Sequence, residues 1–419
     1  MKFAFLIYQY SDNRVNSQVQ ASTNKEDSIL NRKGNSADTS SAGGVERYTA
    51  DLARVFVEMG HDVHLFCHKR KGVTDKRIVF HHVPAIGFWS PLKIWSFALV
   101  SFFMLKKMRG EFDIIHGFGK TFFQDVLRLG GGSHFDYMKR SYPSMDNRFF
   151  RLFVILNPRH LFNLLLEWVM FRTRGTKRKV CNSNMCKMEY MARYGVPESG
   201  IDVIYNGVDS ERFSPINKRL SREKVLNHTG LIMQNIMGDE IFILFVGSGF
   251  RRKGLKHAIE SLAFIDKKIN VHLLVAGRGD FGGYGKMAEN LGVRDMVTYL
   301  GAVDNVKDLY DACDIFLFPT EYDAFPNVCL EAMAMALPII VSRSCGAAEI
   351  IEDGVDGIII DYPIDPKEIA GEIAELSDKE ERGRMGMAAR DKVLDYSVKA
   401  NAVNTLKLYE EVLRQPQVN

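Results

Sequence analysis

At 419 residues the chain is long for one core, and 46% hydrophobic with 25% charged residues describes a folded globular protein rather than a disordered or fibrous one. Six cysteines are too few for a disulfide framework and are expected to be reduced, as in cytoplasm, and no uninterrupted apolar run reaches the ~20 residues that span a bilayer. The net charge of +4 hides an asymmetry: residues 1–200 carry about +13 and the remainder about −9. The first half is therefore expected to meet something anionic, such as a membrane surface or a phosphorylated glycolipid. Nucleic acid is not expected, because no recognisable binding module is present.

In chain order, residues 3–8 read as a buried strand, too short for a signal peptide. A polar, Asn- and Ser-rich stretch from about 11 to 41 has no apolar period and reads as a mobile loop. It ends at Gly43-Gly44, which open a helix running to Met59. Val63–Cys67 is the next strand. Phe88 to Leu105, with Trp89 and Trp95 and the basic end Lys106-Lys107-Met108-Arg109, suits an interfacial helix. Further strands are predicted at Phe112–His116, Val180–Ser183 and Ile201–Tyr205, and Arg172, Arg174, Lys177, Arg178 and Lys179 make a second basic cluster.

After Pro215 the sequence turns polar and helical. A second α/β series opens at Ile241–Gly247 and continues with strands at Val271–Ala276, Val297–Leu300, Ile315–Phe318, Pro338–Ser342 and Gly357–Ile360. The chain closes on an amphipathic helix, about Lys399–Arg414. Two such series predict two parallel sheets covered by helices, with a cleft between the carboxyl ends of their strands where ligands sit.

Gly277-Arg278-Gly279-Asp280-Phe281-Gly282 matches a dinucleotide fingerprint, but the next strand ends in Gly301 where an acidic residue would be needed. A different segment carries more chemistry. After the strand Ile315–Phe318, a loop with Glu321 and Asp323 leads into a helix that carries Glu331. Phe325, Pro326, Asn327 and Val328 would set backbone N–H groups at that helix start, an anion site fit for a phosphate. A carboxylate at Glu331 can accept both hydroxyls of a ribose. Gly247-Ser248-Gly249-Phe250-Arg251-Arg252-Lys253-Gly254 follows the first strand of the second series, and its cations would stabilise a leaving diphosphate. Gly43 and Gly44 would let backbone approach a phosphate closely.

The acidic segment resembles the E-x7-E motif of family 4 retaining glycosyltransferases, with Asp323 in the first acidic position, one methylene short, and Glu331 in the second. Arg252 and Lys253 match that family's diphosphate-binding pair, and the Gly43-Gly44 loop matches one that contacts the same diphosphate. Phe118 to His134 and the Asn206-Gly207-Val208-Asp209 segment are similar to the glucosyltransferases of lipopolysaccharide core assembly, where Asp125 matches an acidic residue facing the acceptor. From the residues alone, Asp125 reads equally as a helix N-terminal Asp, and His116 and His134 read as structural.

The resemblance implies a GT-B arrangement of two Rossmann-like domains. The first, 1–207, would bind acceptor; the second, 208–396, would bind nucleotide sugar; a helix at 397–419 would return to the first. Catalytic roles fall to Asp125, Arg252, Lys253 and Asp323. Donor contacts fall to Gly43, Gly44, Gly247, Arg252, Lys253, Arg278, Phe325, Pro326, Asn327, Val328 and Glu331. The implied reaction moves a hexose, glucose from UDP-glucose, onto a glycolipid or oligosaccharide acceptor at the inner face of the cytoplasmic membrane. The sequence has no Asp-x-Asp, so no obligatory metal is expected. Rival readings are a nucleotide-sugar epimerase of the same fold, which would turn over without acceptor, and a non-catalytic scaffold, which would have no use for the cation pair.

Overall fold

The structure, a computed structural model, describes residues 1–12, 43–72, 75–172, 175–229, 240–303 and 305–415. They fall into two compact units, one holding the chain up to Gly207 and from Val398 onward, the other holding Val208–Ser397. Most of the polar 11–41 stretch lies outside the described residues, but Ser11 and Asp12 belong to a strand rather than to a loop.

The strands of the first unit are β1 (Lys2–Leu6), β2 (Gln9–Asp12), β3 (Asp62–Cys67), β4 (Lys69–Gly72), β5 (Val79–His82), β6 (Ile114–Gly117), β7 (Val126–Leu129), β8 (Arg178–Cys181) and β9 (Ile201–Val203). Seven of them form one parallel sheet in the order β5-β3-β1-β6-β7-β8-β9, and β2 pairs with β4 apart from it. The sequence reading missed β2, β4, β5 and β7. β4 is Lys-Arg-Lys-Gly, without an apolar residue, and β5 ends in two histidines. β7 is Val-Leu-Arg-Leu beside a glycine run, and its Arg128 breaks the apolar signal although the side chain is buried.

The helix Gly44–Glu58 covers this sheet with Leu52, Ala53 and Phe56, at the i, i+4 spacing of one helical face. The last helix, Val398–Arg414, packs on the same core through Val398, Ala402, Leu408, Tyr409 and Val412. Polar contacts fix its register. The Tyr48 hydroxyl donates to Asn401 at 2.9 Å, His116 Nδ1 meets the Tyr409 hydroxyl at 2.5 Å, and Arg178 pairs with Glu411 at 2.7 Å.

The second unit adds β10 (Ile241–Val246), β11 (Val271–Ala276), β12 (Val297–Gly301), β13 (Ile315–Phe318), β14 (Ile339–Ser342) and β15 (Ile358–Ile360). They form a parallel sheet in the order β12-β11-β10-β13-β14-β15. All residues of β10, β11, β13 and β14 are buried, which is why they read as unbroken apolar runs: helices cover both faces. In both main sheets the chain starts in the middle, winds out to one edge, then crosses back and winds to the other. This is the doubly wound Rossmann order, whose strand order reverses beside β1 in one sheet and beside β10 in the other.

The polar helix Lys218–Thr229 docks on the second unit through carboxylates. Asp311 accepts from the Ser221 hydroxyl at 2.8 Å and from the backbone of Ile216 and Asn217. Asp314 pairs with Lys218 at 2.7 Å and with Arg222, and accepts from the Phe242 backbone at 2.8 Å. Burial alone would push the Asp314 carboxyl up, but Lys218 and Arg222 outweigh it and hold the group below its ordinary value. Such a group contributes its full stability above the ordinary carboxylate range and loses it as the pH falls through its lowered folded value. Asp314→Asn is expected to destabilise the second unit by about 3 kcal/mol, because it leaves two cations without their anion. Thermal melts at pH 7 and pH 3 check this: the loss should be large at pH 7 and much smaller at pH 3.

Candidate functional site

In an open parallel sheet a ligand sits where the strand order reverses, beyond the carboxyl ends of the strands. In the second unit that point lies between β10 and β13. The loop after β10 carries Gly247 to Gly254, and the loop after β13 carries Pro319 to Pro326. Backbone bonds join the two loops. The Arg252 carbonyl accepts from the Glu321 N–H at 2.9 Å and from the Thr320 hydroxyl at 2.8 Å. Gly254 sits at φ +80°, in the left-handed region, and a Cβ there would strike the Pro319 carbonyl. Only glycine allows this closeness.

Onto this frame the structure brings three of the predicted charged residues. Lys253 Nζ donates to Asp323 Oδ2, and Arg252 Nη1 reaches the same oxygen at 3.2 Å and the Tyr322 carbonyl at 2.6 Å. Lys253 also lies over the Phe318 ring, 4.8 Å from its centroid, a cation–π contact that limits where the ammonium can point. Asp323 is 9% exposed and held at both ends of its backbone: its N–H donates to the Ser344 carbonyl at 3.2 Å and its carbonyl accepts from Gly346 at 2.8 Å. Burial pushes the Asp323 carboxyl up, but Lys253 and Arg252 outweigh that and keep it below the usual carboxylate range.

The helix Asn327–Ala334 begins directly after Pro326, with Phe325 and Pro326 buried and Asn327 and Val328 partly exposed at its first turn. Glu331 lies one turn further on, 3% exposed, and its carboxylate accepts from the Tyr310 hydroxyl at 3.1 Å. Tyr310 comes from the helix Lys307–Ala312 that feeds β13. On the other side of β10, the Arg278 N–H donates to the Ser248 hydroxyl at 3.1 Å, and a Cβ on Gly277 would strike the Gly247 carbonyl. The glycines of the dinucleotide-like segment thus pack two loops together. Gly247, Arg252, Lys253, Arg278, Asp323, Phe325, Pro326, Asn327, Val328 and Glu331 therefore all belong to loops and a helix start at one end of this sheet.

The sequence reading did not find the groups that orient these residues. Tyr310 on Glu331 and the Phe318 ring beneath Lys253 look like ordinary core positions in the sequence. His257, from the helix Leu255–Leu262, meets Glu321 at 2.7 Å and fastens the acidic loop to the helix that follows the basic one. Its position four residues after Lys253 was the only available signal.

Gly43, Gly44 and Asp125 belong to the first unit. Gly43 is exposed and caps the helix Gly44–Glu58, and the Glu46 carboxylate folds back against it, so an acidic group already sits at that helix start. Asp125 is neither on a helix nor at the carboxyl ends of the strands. It immediately precedes β7, accepts from the Ile115 N–H at 2.8 Å and pairs with Arg109 at 3.0 Å, so it fastens the amino-terminal side of β6 to β7. That corrects its expected helix N-terminal place, and its carboxylate is engaged by the Ile115 N–H and Arg109.

Beyond the carboxyl ends of β6 and β7 lies a separate polar group. His134 Nε2 meets His160 Nδ1 at 3.0 Å, His160 Nε2 meets the Tyr142 hydroxyl at 3.1 Å, and Lys120 donates to Asn163 at 2.7 Å. Glu167 accepts from the His134 backbone and from the Tyr194 hydroxyl at 2.8 Å. Burial, with Lys120, His160 and Arg159 nearby, lowers His134 to about 3, so its imidazole is neutral at ordinary pH.

The expected interfacial segment is only partly exposed. The helix Ser90–Lys107 exists, but Trp95 is partly buried and its indole N–H donates to the Phe162 carbonyl at 3.1 Å. Arg109 is paired with Asp125, Arg178 with Glu411, and Lys179 is half-buried near Phe171; Arg174 lies outside the described residues. Exposed apolar side chains remain on the 88–105 segment, with Phe88 85%, Trp89 41%, Leu99 51% and Phe103 62% exposed, and others gather on the helix Arg148–Leu156, where Phe149 is 87% and Phe153 77% exposed beside Leu152 and Leu156. Among the described residues no single helix is long and apolar enough to cross a membrane; the pair Arg148–Leu156 and Pro158–Arg172, bent by 83°, reaches that length and composition only together.

Comparison with known proteins gives these features a family. Residues 42–212 match the model described as Glycosyltransferase Family 4, and residues 233–392 match Glycosyl transferases group 1. An uncharacterized glycosyltransferase of Methanocaldococcus jannaschii is 38% identical over 191 residues, 45% of this chain and 47% of the relative. The chain spans about half the length of the curated relatives it matches. In fold it is similar to WaaG, a glycosyltransferase involved in lipopolysaccharide biosynthesis, with a TM-score of 0.74 at 21% identity over 97% of this chain and 99% of that one. It is also similar in fold to Anabaena HepE, solved in complex with UDP-glucose, with a TM-score of 0.65 at 16% identity over 97% of this chain and 100% of that one. The two family matches fall one on each unit and both main sheets wind in Rossmann order, so the chain belongs to the family 4 glycosyltransferases of the GT-B fold.

Proposed function

We propose that this chain is a retaining glycosyltransferase that moves a hexose, glucose from UDP-glucose, onto a glycolipid acceptor such as the inner core of lipopolysaccharide. The observation that carries the reading is the meeting of Arg252, Lys253 and Asp323 where the strand order reverses, with Glu331 one turn into the helix that follows the Asp323 loop. The fold likeness to HepE, solved with UDP-glucose, and to WaaG, of lipopolysaccharide biosynthesis, supports the choice of donor and acceptor class.

In this reading Glu331, oriented by Tyr310, accepts the ribose hydroxyls, and the first turn of the helix Asn327–Ala334 offers N–H groups to phosphate. Arg252 and Lys253 meet the charge that grows on the diphosphate as the sugar departs, so no metal is required for that step. Asp323 lies at the sugar. Attack comes from the face the leaving group vacates, and the departing phosphate helps remove the acceptor proton, so no protein carboxylate acts as nucleophile. The polar group around His134, His160 and Lys120 lines the acceptor side of the first unit.

Thermal shifts with UDP, GDP, ADP and their sugars test the donor: UDP and UDP-glucose should raise the Tm most, and no shift with any of them would reject the reading. Lys253→Ala should lower turnover by roughly 100-fold or more while weakening donor binding much less, because the ammonium acts mainly on charge that develops in the transition state. Near wild-type kcat in that variant would remove Lys253 from the leaving-group site.

The same reading places the protein in the cytoplasm, docked on the inner face of an anionic membrane. The first unit supplies a net positive charge and, on the helix Arg148–Leu156, exposed phenylalanines beside Arg148, Arg151 and Arg159. Each basic side chain near such a surface contributes about 1 kcal/mol, and the phenylalanines add a part that salt does not screen. Wild-type protein should co-sediment with vesicles containing anionic lipid and much less with neutral ones, and Phe149→Ser with Phe153→Ser should lower that binding several-fold. Equal binding to both vesicle types would defeat the electrostatic part, and an unaffected double variant would move the docking face elsewhere.

A further inference from the structure

The cation pair assigned to the donor diphosphate already has an anion within the protein itself. Lys253 and Arg252 both address one oxygen of Asp323, whose side chain is nearly enclosed and whose backbone is pinned to Ser344 and Gly346. The carboxylate therefore has little room to withdraw, whereas Lys253 stands on a flexible four-carbon stem and Arg252 is a quarter exposed. A diphosphate arriving here meets cations that already share one anion and, within the same few ångströms, a fixed negative charge. It can gain those cations only by drawing them away from Asp323.

From this geometry we propose that Asp323 is a resident counter-anion that holds Lys253 and Arg252 in place in the empty site and is exchanged for the diphosphate when donor binds. The proposal rests on the reading that this site takes a nucleoside diphosphate and adds a positioning role for the carboxylate. The exchange breaks no covalent bond. Two ion pairs to a carboxylate become ion pairs to phosphate oxygens, and the released Asp323 carboxylate, still negative, becomes an acceptor for hydroxyls of the sugar attached to that diphosphate. The empty site thus avoids two uncompensated, partly buried cations, at the cost of a competitor built into the protein. The cation–π contact with Phe318 keeps Lys253 near the β13 end while it changes partners.

The role of Asp323 as competitor separates cleanly from a role as sugar contact, because UDP carries the diphosphate and no sugar. Isothermal titration with UDP on the full chain compares wild type, Asp323→Asn and Asp323→Glu. Removing the resident anion should tighten UDP by about tenfold in Asp323→Asn, while Asp323→Glu, which keeps the charge, should stay within about threefold of wild type. The unliganded Asp323→Asn protein should also melt earlier than wild type and gain more in Tm from UDP. Asp323→Ser, smaller and equally neutral, should give the same sign if the Asn variant folds poorly. Unchanged or weaker UDP binding in a folded neutral variant, with UDP-glucose alone losing affinity, would overturn the proposal and leave Asp323 as a sugar contact. Absence of UDP binding by wild type would instead reject the donor reading on which the proposal stands.

Discussion

A carboxylate buried beside two cations constrains everything around it. Asp323, Lys253 and Arg252 can be enclosed together because their charges offset one another; any one of them alone would face a desolvation penalty of several kcal/mol. Holding the three within ion-pair distance requires two loops, separated by some seventy residues of chain, to meet at fixed register. The strand order meets that requirement. β10 and β13 are neighbours although three helices and two strands lie between them in sequence, so the loops that follow them emerge side by side. The carbonyl of Arg252, taking two donors from the acidic loop, and the bare Cα of Gly254 under the Pro319 carbonyl then set the spacing.

Much of this was legible in the sequence. The six strands of the second unit begin and end within a residue or two of their predicted limits, and β10, β11, β13 and β14 stand out as short, largely apolar runs because both their faces are covered. The charged residues proposed for the site were picked out by the resemblance of Asp323-x7-Glu331 and of Arg252-Lys253 to family 4 motifs, in loops that follow such strands. The first unit was harder. β7 carries a buried arginine whose charge is spread over the Tyr48 ring at 3.8 Å, the Asn206 side chain at 2.7 Å and the Ile204 carbonyl, so tertiary contacts overrule a residue that reads as exposed. β4 and β5 lie at the margins of their sheets and are partly polar, which removes the period on which strand reading depends.

Asp125 shows a different limit. A motif gives a residue type at a position and says nothing of which end of a strand that position occupies. One residue before β7, the backbone is still at the amino-terminal side of the sheet, and the side chain closes onto Ile115 and Arg109 there. Trp95 illustrates the same point on a helix. Aromatic composition near a basic end suggested an interface, but the indole N–H found a carbonyl in the neighbouring helix, and a satisfied, partly buried tryptophan is packing rather than docking. Exposure, which composition cannot report, leaves Phe88, Trp89, Leu99 and Phe103 of that segment at the surface and adds Phe149 and Phe153 from another helix.

The second half of the chain is acidic as a whole, with a net charge of about −9 over residues 201–419, yet the site proposed within it would take an anion. The two facts are compatible because electrostatics at a site is local. At physiological ionic strength charges more than about 8 Å apart across solvent are largely screened, so the many surface carboxylates contribute little at the cation pair. What acts there is the immediate surroundings, which include Lys253, Arg252, the N–H groups that start the helix Asn327–Ala334, and the opposing charge of Asp323. With Asp323 in place the pull of the two cations on a dianion is reduced, a modest attraction rather than a trap. A donor site needs that moderation. A transferase must bind nucleoside diphosphate sugar and then let the nucleoside diphosphate go, and a site that held the product with two unopposed buried cations would favour retention over release. Net charge therefore carries no information about this site, whereas the sign and number of groups within one ion-pair distance do.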